Sequence, residues 1–258
     1  MRILVIIPAH NEEANVGRVI REIRGFLPTA DLVVVDDGSR DDTARVAREA
    51  GAQVLSLPNN LGYGAAIQTG FRYATRNGYD IGIQMDSDGQ HAPESVPALL
   101  DPVLRGEIDV ALGSRFLGRA DYPIPWPKKL GMKLFAAIAS TALGTRITDP
   151  TTGFQALSSR VMRYFAVDNY PSDYPDADAI MVLGFRGFRI REVPVVMKAR
   201  MAGTSMHSGF KTVIYVFKMF LSILVVVLRE RLLKPAGSAA AATTLPAGGA
   251  TPASGEGA

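Results

Sequence analysis

Two carboxylates stand two residues apart in Asp86-Ser87-Asp88, directly after the apolar run Ile81–Met85. Such a pair can share one divalent cation that is also bound to a diphosphate, and its hard oxygen ligands favour Mg²⁺ or Mn²⁺. Gln90 adds a neutral oxygen at the next alternate position. Because Asp-Ser-Asp-Gly is also ordinary turn chemistry, the segment taken alone leaves a solvated turn equally open.

Three more polar clusters follow short apolar runs of the same kind. They are Pro8–Glu12, Asp36–Ser39 and Gly113–Arg115. In parallel α/β sheets, ligands bind at the carboxyl ends of the strands. We therefore expect all four clusters to meet at one edge of a sheet and to form one shared active site.

The cluster after the second apolar run admits two interpretations that are compatible. Asp37 could accept hydrogen bonds from a base or a ribose, by analogy with the acidic residue of dinucleotide-binding folds. Ser39 and Asp41-Asp42 supply N-cap chemistry for a following helix. The nearby Gly62-Tyr63-Gly64 is not the GxGxxG motif and no Walker lysine accompanies it, so it is interpreted as close packing beside a donor site.

Two arginines are candidates for contacts with phosphate. Arg115 follows an apolar run, and Arg200 opens the loop Arg200–Ser205, which could close over a diphosphate. A guanidinium can hold phosphate oxygens in a bidentate fork. A surface salt bridge is the alternative for each of them.

The elements that must position these residues are short strands and amphipathic helices in alternation. Strands are predicted at Ile3–Ile7, Leu32–Val35, Val54–Leu57, Ile81–Met85 and Val110–Leu112, and helices at about 13–26, 41–49, 64–75 and 94–104. This alternation predicts an α/β fold with a doubly wound, mostly parallel sheet. Beyond Arg115 the pattern weakens to helices at about 128–143 and 176–185 and an extended pair broken by Pro194.

Composition narrows the class of protein. The chain has 258 residues, no cysteine, 47% hydrophobic residues and a formal net charge of +3. These values exclude global disorder, a disulfide scaffold and cysteine-based zinc sites. The charge is too small to indicate nucleic acid, and a pI near 9.2 suggests phosphate or anionic lipid instead. Of the three scattered histidines, His91 is interpreted as structural rather than as a general base.

Mean hydropathy is slightly positive, +0.12, and much of the excess lies near the C-terminus. Thr212–Leu228 holds 17 residues with one charge, at the short limit of a bilayer span. We predict a catalytic domain over 1–208, a hydrophobic membrane-associating helix over 209–234 and a disordered low-complexity tail over 235–258. Trp126 with Lys128, Lys129 and Lys133 suits either an interfacial helix or an ordinary basic surface helix.

Several of these segments together resemble glycosyltransferase family 2, whose members have the GT-A fold. The matching segments are Pro8–Glu12, Val35–Ser39, Asn60–Gly64, Asp86–Asp88, Gly113–Phe116, Asp149–Phe154 and Arg200–Ser205. The run Asp88–Pro93 is similar to that of the dolichyl- and polyprenyl-phosphate glycosyltransferases, the dolichol-phosphate mannose synthase type. The resemblance covers about residues 1–210.

The resemblance implies a role for each matching residue. The nucleotide-sugar donor would meet Pro8, His10, Glu12, Val35, Asp37, Asp86, Ser87 and Asp88. A Mg²⁺ or Mn²⁺ ion would lie near Asp86, Asp88 and Gln90. The catalytic residues would be Asp88, Arg115 and Arg200. His10 departs from the tyrosine usual at its position, and Asp176 and Asp178 fall roughly where other members keep a base.

The implied reaction is inverting transfer of a hexose, mannose or glucose, from a GDP- or UDP-hexose to a polyprenyl phosphate at the cytoplasmic face of the membrane. A phosphate monoester is largely dianionic at pH 7, because its second pKa is about 6, so it needs no strong base. One alternative is transfer to a saccharide hydroxyl in cell-wall glycan synthesis, for which Asp176 or Asp178 would be the first candidate bases. Another is an inactive nucleotide-sugar-binding scaffold.

Overall fold

A computed structural model describes residues 1–120, 126–167, 170, 177–199, 221, 225, 226 and 228. Within these residues the strands are β1 Ile3–Ala9, β2 Asp31–Asp36, β3 Gln53–Ser56, β4 Ile81–Gln84, β5 Val110–Ala120, β6 Gln155–Ser158 and β7 Ile190–Met197. The helices are α1 Val16–Phe26, α2 Thr43–Glu49, α3 Tyr63–Arg76, α4 Val96–Leu104, α5 Trp126–Leu143, α6 Ser159–Ala166 and α7 Ala177–Phe185.

The seven strands form one sheet in the order β3-β2-β1-β4-β6-β5-β7. The pairs β1–β2, β1–β4, β2–β3 and β5–β7 are parallel, whereas β6 runs antiparallel to both of its neighbours. The predicted mostly parallel α/β sheet is therefore confirmed. The chain moves outward from β1 to β3 and then returns to place β4 on the other side of β1, so a topological switch point lies between β1 and β4, where such sheets bind ligands.

The reversed strand β6 brings its preceding loop to the same edge. Gln155, the first residue of β6, pairs with Gln84, the last residue of β4. β6 therefore begins at the edge where β4 ends. The loop 149–154, which leads directly into β6, consequently lies beside the carboxyl ends of the parallel strands.

Helices cover both faces of the sheet, and the side chains of β1 alternate between two cores. Leu4 and Ile6 belong to the cluster under α3, α5, α6 and α7, and Val5 and Ile7 to the cluster under α1, α2 and α4. Strand side chains point alternately to opposite faces, so a strand covered on both sides must be apolar throughout. This explains the uninterrupted aliphatic run from Ile3 to Ile7.

Three local predictions were wrong. The strand predicted at Val110–Leu112 continues to Ala120, so Gly113–Arg115 lies within β5 and does not follow it. Pro194 does not break the extended segment: β7 is continuous through it, because β7 is an edge strand of this sheet, where a missing N–H is tolerated. Ser39 does not cap α2, which begins at Thr43; its hydroxyl instead accepts the backbone N–H of Asn11. Strand β6 and helix α6 were not expected.

Most of the predicted hydrophobic helix lies outside the described residues, as do Arg200–Ser205 and the tail. Leu221, Val225, Val226 and Leu228 are helical, and Val226 is buried in the core cluster that includes Phe135. Among the residues that the structure describes, no helix is both long and apolar enough to cross a membrane.

Candidate functional site

Hydrogen bonds join the polar clusters that follow β1 and β2. The backbone N–H of Asn11 donates to Ser39 Oγ at 2.9 Å, and His10 Nδ1 lies 2.8 Å from the carbonyl oxygen of Asp37. Because a carbonyl only accepts, His10 Nδ1 carries the proton and Nε2 accepts from Asn11 Nδ2 at 3.0 Å. The predicted convergence of these two clusters is confirmed.

A cleft of about 690 Å³ opens beside these contacts, at the carboxyl ends of β1, β2 and β3. It is lined by His10, Asn11, Asp36, Gly38, Ser39, Arg40, Ser56, Leu57, Pro58, Asn59 and Asn60. Most of these residues offer polar side chains. A base and a ribose need hydrogen-bond partners of this kind, so the cleft is the candidate position for a nucleoside.

Asp37 ties the end of β2 to the loop before α3. Its Oδ1 accepts the backbone N–H of Leu61 at 2.7 Å, and its Oδ2 accepts that of Gly62 at 2.9 Å. Gly38 allows the close approach of this loop: its φ is +64°, and a Cβ there would lie 2.5 Å from the carbonyl carbon of Asn59. Asp37 thus anchors a loop, and its contact with a nucleotide stays a prediction.

The remaining residues predicted to bind the donor differ in their surroundings. Pro8 and Val35 lie opposite each other in β1 and β2, and both are buried. Glu12 Oε2 accepts from Asn15 Nδ2 at 2.7 Å, just before α1. Ser87 is buried beside the two carboxylates. Their contacts with a donor stay predictions.

Asp86 is held by a tyrosine that the sequence analysis assigned to packing. The Tyr63 hydroxyl donates to Asp86 Oδ1 at 2.9 Å, and Gln84 Nε2 donates to the same hydroxyl at 2.9 Å. Gly153 comes from the loop before β6: a Cβ there would lie 3.3 and 3.4 Å from the two Asp86 carboxylate oxygens. Even so, 32% of the Asp86 side chain is exposed, so the carboxylate remains accessible to a ligand.

His91 supports the backbone at Asp86. Its Nδ1 accepts the Asp86 N–H at 3.0 Å, and its ring stacks on Phe154 with centroids 4.8 Å apart. Burial lowers the pKa of His91 to about 4, so the ring is neutral at pH 7 with its proton on Nε2. These contacts agree with the structural role predicted for His91.

The donor set around Asp86 fits a divalent cation that is shared with a diphosphate. Within the described part of the chain, no group of three or more histidine or acidic residues could hold a metal ion alone. Mg²⁺ is commonly held by only one or two carboxylates together with substrate phosphates, as Asp86 and Asp88 would provide. Asp88 Oδ1 accepts the Gln90 N–H at 2.9 Å, which fixes the turn between them. The space that the missing Cβ of Gly153 leaves over Asp86 is compatible with such an ion.

Arg115 is not an isolated cation. Its Nε lies 2.6 Å from Asp149 Oδ2 and its Nη2 lies 3.3 Å from Oδ1, in a pair whose side chains are 9% and 0% exposed. Because the pair is buried, the predicted alternative of a surface salt bridge is wrong for Arg115. Contact of Arg115 with the acceptor phosphate or the donor diphosphate stays a prediction.

Glu192 on β7 holds the start of the same loop. Its Oε1 accepts the backbone N–H groups of Thr148 at 2.8 Å and of Asp149 at 2.7 Å, and its Oε2 accepts the Thr148 hydroxyl at 2.8 Å. The loop that carries Asp149 and Gly153 is therefore fixed from both β5 and β7.

Of the two candidate bases, Asp178 lies within the described residues and Asp176 lies outside them, as does Arg200. Asp178 is in the first turn of α7 and is almost completely buried, and its Oδ1 accepts the N–H of Ala179 at 2.8 Å. The predicted contact of Arg200 with phosphate stays a prediction.

Sequence reasoning missed the parts played by Tyr63, Gly153 and Glu192. Gly153 had a signal, because it lies in one of the segments that carry the family resemblance. Tyr63 had the same signal, because it lies in the matching segment Asn60–Gly64, and its place between two glycines drew attention to packing instead. Glu192 had no signal in the sequence, because a glutamate on an edge strand is usually a solvent-facing side chain.

The family model "Glycosyl transferase family 2" matches residues 4–170. The chain is 34% identical over 218 residues to polyprenol monophosphomannose synthase from Mycolicibacterium smegmatis, covering 81% of this chain and 82% of that one. It is also 34% identical over 220 residues to undecaprenyl-phosphate mannosyltransferase from Micrococcus luteus, covering 81% and 88%.

A solved structure shows the same fold. Glucosyl-3-phosphoglycerate synthase from Mycobacterium tuberculosis, in complex with Mn²⁺ and UDP-glucose, superposes with a TM-score of 0.68 at 24% identity, over 92% of this chain and 81% of that one. The family model spans well over half of the sequence, and the relatives match along most of their length. The chain therefore belongs to glycosyl transferase family 2 and is a glycosyltransferase.

Proposed function

We propose that this enzyme transfers a hexose from a nucleotide sugar to a polyprenyl phosphate with inversion at the anomeric carbon. The observation that carries the proposal is the 34% identity, over 81% of the chain, to two relatives whose names specify transfer of mannose to a polyprenol phosphate. Mannose is accordingly the first sugar to test, and glucose the second. The nucleotide is GDP or UDP.

The chemistry of the acceptor agrees with the surroundings of the site. A phosphate monoester has a second pKa of about 6, so it reaches the site at pH 7 largely as a dianion and is already a nucleophile. One phosphate oxygen attacks the anomeric carbon while the bond from that carbon to the diphosphate breaks, and the nucleoside diphosphate leaves with the electron pair. Asp178, the candidate base within the described residues, is almost completely buried, which suits an acceptor that needs no base.

The residues divide between the two ends of the donor. The nucleoside occupies the cleft beside His10 and Ser39, and Asp86, Ser87 and Asp88 face the diphosphate. Mg²⁺ or Mn²⁺, held by Asp86 and Asp88 with Gln90 nearby, would supply charge stabilisation for the leaving diphosphate. Arg115 and Arg200 are proposed to add positive charge toward the phosphates.

We propose that the enzyme works at the cytoplasmic face of the membrane, where a polyprenyl phosphate is presented. Helix α5 carries the exposed side chains of Leu130 and Leu134, 61% and 46% accessible, next to the exposed Lys129 and Lys133. Apolar side chains flanked by lysines are typical of helices that lie on anionic lipid surfaces. The apolar segment 212–228 is the second candidate for membrane contact.

The proposal is tested with purified protein, Mg²⁺ or Mn²⁺, polyprenyl phosphate and a panel of GDP- and UDP-hexoses. A glycolipid whose mass equals the lipid phosphate plus one hexose supports it and identifies the donor. Absence of product across a broad panel would contradict it.

A further inference from the structure

We propose that Tyr63 is a positioning residue for Asp86, and that its hydroxyl sets the orientation in which this carboxylate meets the cation and diphosphate. The inference rests on the proposed function for what Asp86 binds. Tyr63 lies outside the motif Asp86–Asp88 and acts through it.

The hydrogen-bond directions leave one arrangement. An ionised carboxylate only accepts, so Tyr63 must donate its single proton to Asp86 Oδ1. The Tyr63 oxygen in turn accepts from Gln84 Nε2, which lies at 2.9 Å. Gln84 is buried at the end of β4, so the amide that starts this relay is fixed by the sheet. Because Gln84 fixes the Tyr63 hydroxyl, the hydrogen bond from that hydroxyl restricts rotation of the Asp86 carboxylate.

Tyr63 is itself held in place from its backbone. It is the first residue of α3, and the two residues before it, Leu61 and Gly62, donate their N–H groups to Asp37 at the end of β2. The position of the hydroxyl is thus fixed by two neighbouring regions of the carboxyl edge. Asp37 lies between Asp36 and Gly38, which line the cleft, so these contacts link the wall of the cleft through Tyr63 to Asp86.

Gly153 closes the opposite side of the pair. A Cβ at this position would lie 2.9 Å from the Tyr63 hydroxyl and against both Asp86 oxygens. Glycine at 153 therefore leaves the hydrogen bond undisturbed. Its backbone is outside the left-handed region, so an alanine would add contact without backbone strain.

Mutation of a residue that hydrogen-bonds a metal-binding carboxylate typically lowers metal affinity or activity by about 10–100-fold. We therefore expect Tyr63→Phe to weaken Mn²⁺ binding by about 10–100-fold in the presence of GDP or UDP, whichever the wild type accepts. Bound and free Mn²⁺ are measured by electron paramagnetic resonance, with no sugar donor and no turnover. The matched control is Tyr73→Phe, the same change about 15 Å further along α3, which should bind Mn²⁺ like the wild type.

Each outcome decides a different point. Equal Mn²⁺ affinity in wild type and Tyr63→Phe, with both folded by circular dichroism, overturns the positioning role and leaves the proposed function standing. A wild type that binds no Mn²⁺ with either nucleoside diphosphate overturns both. If Tyr63→Phe does not fold, Gln84→Met replaces it, because it removes the amide that donates to the Tyr63 hydroxyl and leaves Asp86 and Gly153 unchanged. Weakened Mn²⁺ binding then supports the positioning role, and wild-type binding overturns it.

Discussion

Arg115, in the middle of β5, and Asp149 form a buried ion pair, with 2.6 Å between Arg115 Nε and Asp149 Oδ2. The pair joins the strand that carries Arg115 to the loop that carries Gly153, and hence to the surroundings of Asp86. A backbone hydrogen bond reinforces the pair: the Arg115 N–H donates to the same carboxylate at 3.2 Å. The pair therefore has a structural role in the site, whatever Arg115 contributes to phosphate binding.

Removing one member of this pair should destabilise the fold. Asp149→Ala leaves a buried guanidinium without its carboxylate, and we expect the free energy of unfolding to fall by about 3–5 kcal/mol. The matched control is Asp101→Ala on α4, which breaks the exposed pair with Arg105 just after that helix and should cost less than about 1 kcal/mol. Urea unfolding followed by circular dichroism compares the two variants. Equal losses would show that the Arg115–Asp149 pair is no stronger than a surface pair.

Stability should decrease in mild acid because of His91. The unfolded state takes up a proton near the ordinary pKa of 6.5, whereas burial keeps the folded ring neutral down to about pH 4. The contribution of His91 is therefore complete above pH 6.5 and is lost as the pH falls toward 4, by roughly 3 kcal/mol in total. Urea unfolding between pH 7 and 4 measures the slope. His91→Gln should give a flatter slope than the wild type; identical slopes would refute this origin.

Transfer to a phosphate should not depend on a carboxylate base. The double variant Asp176→Asn, Asp178→Asn is expected to keep near wild-type kcat/KM with polyprenyl phosphate, because the acceptor is already ionised. Loss of a general base would cost about 10²–10⁴-fold. The control is Asp88→Asn, the same aspartate-to-asparagine change at a residue proposed to bind the donor. This variant should lose activity. A loss of 10²-fold or more in a folded double variant would favour a saccharide hydroxyl as acceptor.

Membrane association should depend on the C-terminal segment. Deleting residues 210–258 removes the apolar run 212–228 and is expected to abolish flotation with anionic lipid vesicles. The full-length variant Lys129→Glu, Lys133→Glu tests α5 separately, because charge reversal weakens attraction to anionic lipid. If the truncated protein still floats and the charge-reversed protein does not, α5 is the membrane contact and the C-terminal assignment is wrong.

The sequence predicted the strands that have the same surroundings on both faces of the sheet. β1, β2 and β4 are covered on both faces, so their aliphatic runs mark them clearly, and the polar clusters after them meet as expected. β6 escaped prediction because it is short and antiparallel, and its residues Gln155 and Ser158 interrupt the apolar pattern. Pro194 was misread because only the tertiary arrangement shows that β7 is an edge strand.

Within the site, the sequence identified residue types but not partners. Asp86 and Asp88 were recognisable from their spacing, and Arg115 from its place after the apolar run Val110–Leu112, although in the structure it lies within β5. The burial of Asp149 against Arg115 and the contact of Tyr63 with Asp86 depend on side chains 34 and 23 residues apart along the chain. Such pairings depend on how the sheet and the loops pack together, so the local sequence pattern does not predict them.

The most direct measurement of the central claim is the mass of the lipid product formed from two acceptors that differ only in the phosphate. With the donor accepted by the enzyme, polyprenyl phosphate should gain one hexose, and the corresponding polyprenol should remain unmodified. Equal glycosylation of polyprenol, or transfer to a saccharide with none to polyprenyl phosphate, would contradict the proposal that the acceptor is a lipid phosphate.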